Sequence, residues 1–242
     1  MAKYEVVNGV GIIPEGVTEI GWAAFADCTS LTSVVIPSSV TKIGNEAFSG
    51  CTSLTSIEIP SSVTAIAGGA FYGCTSLTSV VIPSSLTMIV YDAFMRCTSL
   101  TSIEIPSSVT KIGGNAFDGC TSLTSIEIPS SVTKIEEYAF SRCTSLTSVV
   151  INGKIKKIAW KTFSGCTALE SITLPTGVNE IDEDAFEGCT SLKAINVPAK
   201  KKDYYIQRFS EEFHPLIVEM EPVKKATNKT EKKTKSESTE KN

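Results

Sequence analysis

A cysteine recurs every 23 residues along most of this chain. The eight positions are Cys28, Cys51, Cys74, Cys97, Cys120, Cys143, Cys166 and Cys189. Eight phenylalanines follow the same interval, at Phe25, Phe48, Phe71, Phe94, Phe117, Phe140, Phe163 and Phe186. A fixed period of about 20 to 50 residues is typical of solenoids and other repeat arrays. The sequence therefore predicts a stack of copies of one small structural unit.

The repeated unit is well preserved over most of its length. Written from a cysteine, it reads C-T-S-L-T-S-I-E-I-P-S-S-V-T-K-I-G-x-x-A-F-x-G. The copies that begin at Cys51, Cys97 and Cys120 are nearly identical. Residues 13–27 supply the back half of an earlier copy, and residues 189–198 supply the front half of a last one.

Each unit contains one strand pattern and one turn pattern. In the copy at Cys51, Ile57 and Ile59 alternate with polar neighbours, which is the period of a strand. Pro60 cannot donate to a ladder, so the strand ends there. Further along, Ala70–Phe71 predict a tight helical or 3₁₀ turn. Because one unit cannot bury its apolar residues alone, we expect stacked copies to form a parallel sheet with strands about 4.8 Å apart.

The pattern L-x-x-I-x-I-P-x-x-V-x-x-I-x-x-x-A-F-x-x-C resembles the BspA-like leucine-rich repeat family over residues 13–198. The resemblance implies a leucine-rich repeat solenoid with a parallel β-sheet on its concave face and 3₁₀ or helical turns on its convex face. It also implies ligand binding, because members of the family are bacterial surface proteins of the adhesin type that attach to host matrix proteins or to other cells.

Four segments follow from the extent of the repeat. Residues 1–27 are predicted to form an N-terminal cap and a partial first repeat, with a strand over Tyr4–Val10. Residues 28–198 form the solenoid of 23-residue units. Residues 199–221 form a C-terminal cap, and residues 222–242 form a disordered basic tail.

The C-terminal cap is expected to be helical. Asp203 is a plausible helix N-cap. Tyr205, Phe209 and Phe213 then fall on one helical face. Pro215 is expected to end that helix, before a final strand over residues 216–218.

The charge is unevenly distributed. Seven lysines and three glutamates lie between Pro222 and Asn242, although the whole chain has a formal net charge of −4. The body is therefore acidic, which argues against a nucleic-acid partner, since phosphate binding requires clustered Lys and Arg. No apolar run approaches the roughly 20 residues that span a bilayer. No export signal is visible, so we expect a cytoplasmic protein, or a surface or secreted one if a signal has been removed.

The residue types that carry chemistry are poorly placed for it. The cysteines are expected to be free, buried thiols, because stacked copies point their Cβ bonds in parallel and a disulfide needs converging ones. Zinc needs four converging ligands, and the one histidine, His214, lies in the cap. The abundant serines have no histidine partner. We therefore predict no catalytic residues, no metal and no cofactor, and a protein that is not an enzyme.

Two positions of each unit point outward from the predicted sheet. The first carries Ser33, Ser56, Ser79, Ser102, Ser125, Ser148, Ser171 and Ala194. The second, the predicted ligand-binding column, carries Val35, Glu58, Val81, Glu104, Glu127, Val150, Thr173 and Asn196. A smooth face with apolar spots and carboxylates suits a protein or an extended peptide. An equally open alternative is a solvated sheet whose valines serve only strand propensity.

Three functions remain open from the sequence. The leading hypothesis is a non-enzymatic macromolecule-binding protein, adhesin-like or scaffold-like. It would use the concave sheet to bind a protein or peptide, such as a host matrix or cell-surface protein. The alternative is a structural spacer or stalk with no dedicated ligand, because near-identical copies do not indicate a tuned site. The third is binding to a regular surface such as ice or a glycan lattice through the threonine columns.

Overall fold

The structure is a computed structural model that describes residues 4–221. The strands are, in chain order, β1 (Glu5–Val7), β2 (Val10–Ile12), β3 (Glu19–Ile20), β4 (Ser33–Val34), β5 (Lys42–Ile43), β6 (Ser56–Glu58), β7 (Ala65–Ile66), β8 (Ser79–Val81), β9 (Met88–Ile89), β10 (Lys111–Ile112), β11 (Ser125–Ile128), β12 (Lys134–Ile135), β13 (Ser148–Ile151), β14 (Lys157–Ile158), β15 (Ser171–Thr173), β16 (Glu180–Ile181), β17 (Ala194–Val197) and β18 (Ile217–Glu219). One α-helix, α1 (Lys202–Ile206), and two 3₁₀ helices, Glu183–Phe186 and Glu211–Leu216, complete the elements in this part of the chain. No helix within residues 4–221 has the length and apolar character that crossing a membrane requires.

Most complete repeats contribute to two parallel ladders, and the chain is a parallel-strand solenoid as predicted. In the longer ladder, Ser125 of β11 pairs with Ser148 of β13, which in turn pairs with Ser171 of β15. The second ladder joins two-residue strands such as β5 and β7, where Ile43 lies beside Ile66. Each step in register equals one repeat. The first ladder is the predicted sheet, whereas the second was not predicted because its strands are too short to show a period.

The longer ladder is interrupted at residues 102–105, which have the strand pattern but form no strand. The ladder is also broken between β4 and β6, so the strands on this side form three groups, β1-β2-β4, β6-β8 and β11-β13-β15-β17-β18. Residues 102–105 have the same sequence as residues 125–128, which form β11, so the residues of this segment do not by themselves account for the interruption.

The second half of most repeats folds into turns that bond to the next repeat. The N–H of Phe48 donates to the carbonyl of Ala70, and the N–H of Gly50 donates to the carbonyl of Tyr72, each at 2.8 Å. Among residues 4–221, only Glu183–Phe186 is a 3₁₀ helix at this position of the repeat. Elsewhere the neighbouring repeat supplies acceptors that a helix would supply from within the same segment.

The phenylalanines form one stack through the core. Ring centroids in neighbouring repeats lie 5.2–5.6 Å apart. Tyr4 covers one end against Phe25 at 5.4 Å, and Phe213 closes the other end edge-on against Phe186 at 5.8 Å. Each such pair contributes on the order of 1 kcal/mol beyond burial. The caps therefore continue the stack instead of leaving its last rings open to solvent.

The cysteines form a second column in the core. The Sγ of Cys97 donates to the carbonyl of Phe71 at 3.2 Å, and Cys51 makes the equivalent bond to Phe25 at 3.1 Å. All eight thiols are free, and six of them are buried. The predicted free thiols are confirmed, although the two end cysteines, Cys28 and Cys189, are only partly buried.

The N-terminal cap is a β-hairpin. β1 and β2 pair antiparallel, and β2 continues in parallel with β4 of the first repeat. Asn8 and Gly9 connect the two strands with φ values of 51° and 82°. The predicted single strand over Tyr4–Val10 is therefore wrong, because an Asn-Gly turn reverses the chain within it.

The C-terminal cap differs from the predicted single helix. α1 begins at Lys202, and its N-cap residue is Lys201 with no side-chain capping bond, so the predicted N-cap at Asp203 is wrong. The helix ends at Ile206, and Pro215 lies inside the following 3₁₀ helix instead of ending α1.

The aromatic residues of the cap are nevertheless buried, as their spacing indicated. Tyr205, Phe209 and Phe213 all lie in the core, and the Tyr205 hydroxyl donates to the carbonyl of Pro175 at 2.6 Å. β18 then pairs in parallel with β17 and ends the sheet. The segment boundaries at residues 27 and 198 stay predictions, and the predicted basic tail at 222–242 lies outside the described residues.

Candidate functional site

The outward surface of the longer strands, here called the strand face, carries both predicted columns. Ser56 is exposed on it, while Ser148 and Ser171 are half-buried. In the ligand-binding column the valines are solvent-accessible, with Val35 76% and Val81 61% exposed. The predicted residues are distributed as follows: Val35, Glu58, Val81, Glu104, Glu127 and Val150 are exposed, and Thr173 and Asn196 are half-buried.

Strand pairing aligns much of the ligand-binding column in register. Glu127 lies beside Val150, which lies beside Thr173, and Glu58 lies beside Val81. Glu104 belongs to the interrupted repeat and has no ladder partner among the described strands. The fold therefore brings the predicted residues onto one face but holds them in separate groups.

The carboxylates of the strand face are largely uncompensated. Within residues 4–221, Glu58 and Glu104 form no ion pair, while Glu127 accepts a bond from Asn152 Nδ2 at 2.7 Å. Ion pairs occur instead along the second ladder, where Lys42 lies 3.0 Å from Glu19. The strand face therefore presents negative charge that is available to a ligand.

Three shallow clefts open on the strand face between neighbouring repeats. The largest, about 540 Å³, lies between Glu104 and Glu127, where the ladder is interrupted. A second, about 290 Å³, lies between Val35 and Glu58. A third, about 200 Å³, separates Val81 from Glu104. Each cleft has apolar and carboxylate side chains at its rim, so it can hold a side chain of mixed character.

Comparison with known proteins decides the family. The model for the BspA type leucine rich repeat region matches residues 11–120 and 87–212, with six copies. The chain belongs to this family. A leucine-rich repeat protein of T. pallidum, whose crystal structure is known, is 33% identical and covers 78% of this chain and 86% of its own, with a TM-score of 0.63.

A second solved structure to which the chain is similar is a leucine rich cell surface protein from Faecalibacterium prausnitzii. It is 31% identical over 75% of this chain and 71% of its own length, with a TM-score of 0.40. Among proteins of curated function, none matches this chain significantly. The comparisons therefore establish the BspA-type leucine-rich repeat family and leave the ligand of this chain open.

Groups suited to chemistry are not assembled in the part of the chain that the structure covers. No three His, Cys, Asp or Glu side chains in residues 4–221 are placed to hold a metal ion. His214 is half-buried in the C-terminal cap, where its Nε2 lies 3.0 Å from the carbonyl of Phe209. Desolvation raises the pKa of Cys51 to about 12, which makes this thiol a poor nucleophile at neutral pH.

A second surface was missed by the sequence analysis. It is the outward edge of the turns before each Phe, here called the turn ridge, and two of its positions vary from copy to copy. The first carries Trp22, Asn45, Gly68, Tyr91, Gly114, Glu137, Trp160 and Glu183. The second carries Ala23, Glu46, Gly69, Asp92, Asn115, Tyr138, Lys161 and Asp184. The signal for this surface is the variation between copies at these two positions, which a consensus of the repeat does not show.

Proposed function

We propose that this BspA-type protein is a non-enzymatic binding protein, adhesin-like or scaffold-like, and that its strand face binds a protein or an extended peptide. The proposed contact residues are Val35, Glu58, Val81, Glu104, Glu127, Val150, Thr173 and Asn196. The observation that carries the proposal is one column in which exposed valines and uncompensated carboxylates lie on a shared surface beside shallow clefts.

The composition of this surface defines the ligand it suits. Burying Val35 and Val81 against a partner would remove apolar surface from water, which would stabilise the complex by about 25 cal/mol per Å² buried. Glu58 and Glu104 would gain charge-assisted bonds with lysine or arginine. A partner segment that combines apolar and basic side chains would use both. A small neutral molecule would not use both kinds of contact, because the clefts are open and separated by whole repeats.

Three substitutions test the strand face directly. Peptides would be selected for binding to the unchanged protein, and their affinity measured for the combined variant Glu58→Lys, Glu104→Lys and Glu127→Lys. We expect affinity to fall at least about tenfold, because each substitution replaces a favourable charge contact by repulsion. Circular dichroism would confirm that the variant is folded.

The matched control makes the same charge change elsewhere. Glu15, Glu137 and Glu183 are exposed and lie off the strand face, and their combined replacement by lysine should leave peptide affinity within about twofold, since exposed distant charges are screened. Equal losses in both variants would show that the peptides respond only to net charge, and the strand-face proposal would then be abandoned.

A spacer without a dedicated ligand is the second candidate, and the regularity of the repeat favours it. The same inter-repeat bonds recur along the chain, for example from Thr41 Oγ1 to the Thr18 carbonyl and from Thr64 Oγ1 to the Thr41 carbonyl. This candidate predicts that selection yields no peptide whose affinity changes in the strand-face variant.

A further inference from the structure

The turn ridge has a groove near its N-terminal end that the strand-face proposal does not involve. The groove encloses about 470 Å³ and spans several repeats. Its lining residues are Trp22, Asn45, Glu46, Ser49, Gly68, Gly69, Tyr72, Tyr91 and Asp92. Most of these occupy positions that differ between copies, whereas the core positions of the same repeats are nearly constant. The groove therefore depends on residues that the scaffold itself does not require.

Two glycines form the floor of this ridge groove. A Cβ at Gly68 would lie 2.1 Å from Cζ of Tyr91, so the absence of a side chain allows the Tyr91 ring to lie across this repeat. Gly69 has a φ of 64°, and a Cβ there would meet Glu46 Cγ at 3.3 Å. The other copies carry larger residues at one or both positions. The open floor is thus specific to this part of the ridge.

The walls of the ridge groove combine open aromatic rings with carboxylates. Trp22 is 72% exposed and Tyr91 is 57% exposed. Within residues 4–221, no aromatic or cationic side chain packs on either ring, and neither Glu46 nor Asp92 has an ion-pair partner. Asp92 accepts one bond from Asn115 Nδ2 at 2.9 Å. A cation fits this combination, because ring faces and carboxylates both attract positive charge.

One cation already lies at the edge of this region. The Arg96 guanidinium lies 5.8 Å from the centroid of the Tyr72 ring. Arg96 is exposed and does not line the ridge groove. Arg96 therefore does not cover the Trp22 and Tyr91 rings. These two rings and the carboxylates of Glu46 and Asp92 form the part of the ridge groove that no cation of the described residues occupies.

The same chain shows an occupied version of this arrangement farther along the ridge. The Trp160 ring lies at the equivalent position to Trp22, and Lys161 Nζ sits 5.2 Å from its centroid. Trp160 Nε1 donates to Asp184 Oδ2 at 2.7 Å, and Lys161 forms an ion pair with Glu187 at 3.0 Å. In this part of the ridge, the tryptophan ring and the lysine are thus both bound by groups of the chain itself.

We propose that the ridge groove binds a lysine side chain supplied by a basic segment of a partner protein. The ammonium group would lie over the Trp22 or Tyr91 ring and pair with Glu46 or Asp92, as Lys161 does with Trp160 and its carboxylate neighbours. The partner supplies the lysine that this part of the ridge lacks. The proposal is independent of the strand face, which lies on a different side of each repeat.

Tryptophan fluorescence gives a direct test, since Trp22 and Trp160 are the two tryptophans of the chain. In the variant Trp160→Phe, the emission reports on Trp22 alone. The probe is the blocked peptide Gly-Lys-Gly-Lys-Gly, with the same peptide acetylated on both lysines as its neutral match. We expect a saturable change in Trp22 emission with the lysine peptide and none with the acetylated one. Calorimetry on the unchanged chain would check the affinity independently.

Two paired charge variants locate the binding. Glu46→Gln with Asp92→Asn should weaken the lysine peptide about tenfold, because both carboxylates of the groove are neutralised. Asparagine tolerates the left-handed backbone at position 92, where φ is 58°, so folding should be preserved. Glu15→Gln with Glu137→Gln removes the same charge at exposed positions outside both the ridge groove and the strand face, and should change affinity less than twofold.

Three results would overturn the ridge-groove proposal. One is no saturable binding of the lysine peptide to folded protein. A second is equal weakening by both charge variants, which would indicate general attraction to an acidic body. A third is a lysine-peptide affinity that stays unchanged in the groove variant while neutral maltotriose shifts Trp22 emission, because the groove carboxylates would then not hold the lysine.

Discussion

The cysteine of each repeat fills a small volume in the core and also donates a weak hydrogen bond. Cys51 Sγ reaches the carbonyl of Phe25 in the preceding repeat at 3.1 Å, and the contact recurs at Cys120 with Phe94 at 3.2 Å. The sequence could predict that the cysteines are buried, because free cysteine behaves as a small apolar residue and the repeat places all eight at equivalent positions in the stack. It could not predict the sulfur–carbonyl bond, which depends on how neighbouring turns are offset.

Buried thiols should make the fold sensitive to alkaline pH. Burial raises the pKa of Cys51 from its usual 9.0 to about 12, so the folded state favours the neutral thiol. This stabilisation is fully present below about pH 9 and is lost as the pH rises through about 12. Urea unfolding between about pH 8 and pH 11 should therefore show a falling free energy of unfolding.

Alanine variants separate the thiols from other groups that titrate at high pH. Cys51→Ala should reduce the pH slope of the unfolding free energy above about pH 9. Cys28→Ala, at the partly buried end of the column, should reduce it less. Equal slopes in Cys51→Ala and the unchanged chain would show that the buried thiol does not contribute to the pH dependence.

At the scale of single elements, the N-terminal hairpin shows why the caps were harder to predict than the repeats. The Asn8–Gly9 turn has a strong local signal, since both residues take positive φ and Asn-Gly is favoured in two-residue hairpin turns. The apolar run around it resembles one strand, however, and no repeated copy exists to compare it with. The C-terminal cap has the same difficulty, because α1 (Lys202–Ile206) occurs once and packs on the end of the stack.

Gly9 should be required for the hairpin. Its φ is 82°, and a Cβ would lie 2.6 Å from Thr32 Oγ1. The Gly9 carbonyl also accepts the N–H of Thr32 at 2.7 Å, which ties the hairpin to the first repeat. We expect Gly9→Ala to lower the free energy of unfolding by roughly 2 kcal/mol, from the left-handed backbone and the clash together. Urea unfolding measures this loss.

Gly16→Ala is the matched control for Gly9→Ala. Gly16 has a φ of 85°, but no atom lies within 4 Å of a Cβ placed there. Its replacement should cost only about 1 kcal/mol, from the backbone alone. If both variants lost the same stability, the contact with Thr32 would have no part in holding the cap.

At the scale of the whole molecule, the repeat determines the solenoid, and deviations from the repeat determine the surfaces. Period and apolar pattern were enough to predict the parallel stack, since each copy buries its apolar set only against its neighbours. The ridge groove was beyond such prediction, because it arises where Gly68 and Gly69 lack side chains and Tyr91 of the next repeat lies across Gly68.

Deleting residues 98–120 tests the central claim that 23-residue units stack only on their neighbours. The deletion joins Cys97 to Thr121 and restores the repeat pattern across the junction. In equilibrium urea unfolding we expect one cooperative transition, with the m value lower by about a tenth in line with the surface removed. A protein that is aggregated, or that unfolds without a cooperative transition, would contradict a solenoid of interchangeable neighbouring units.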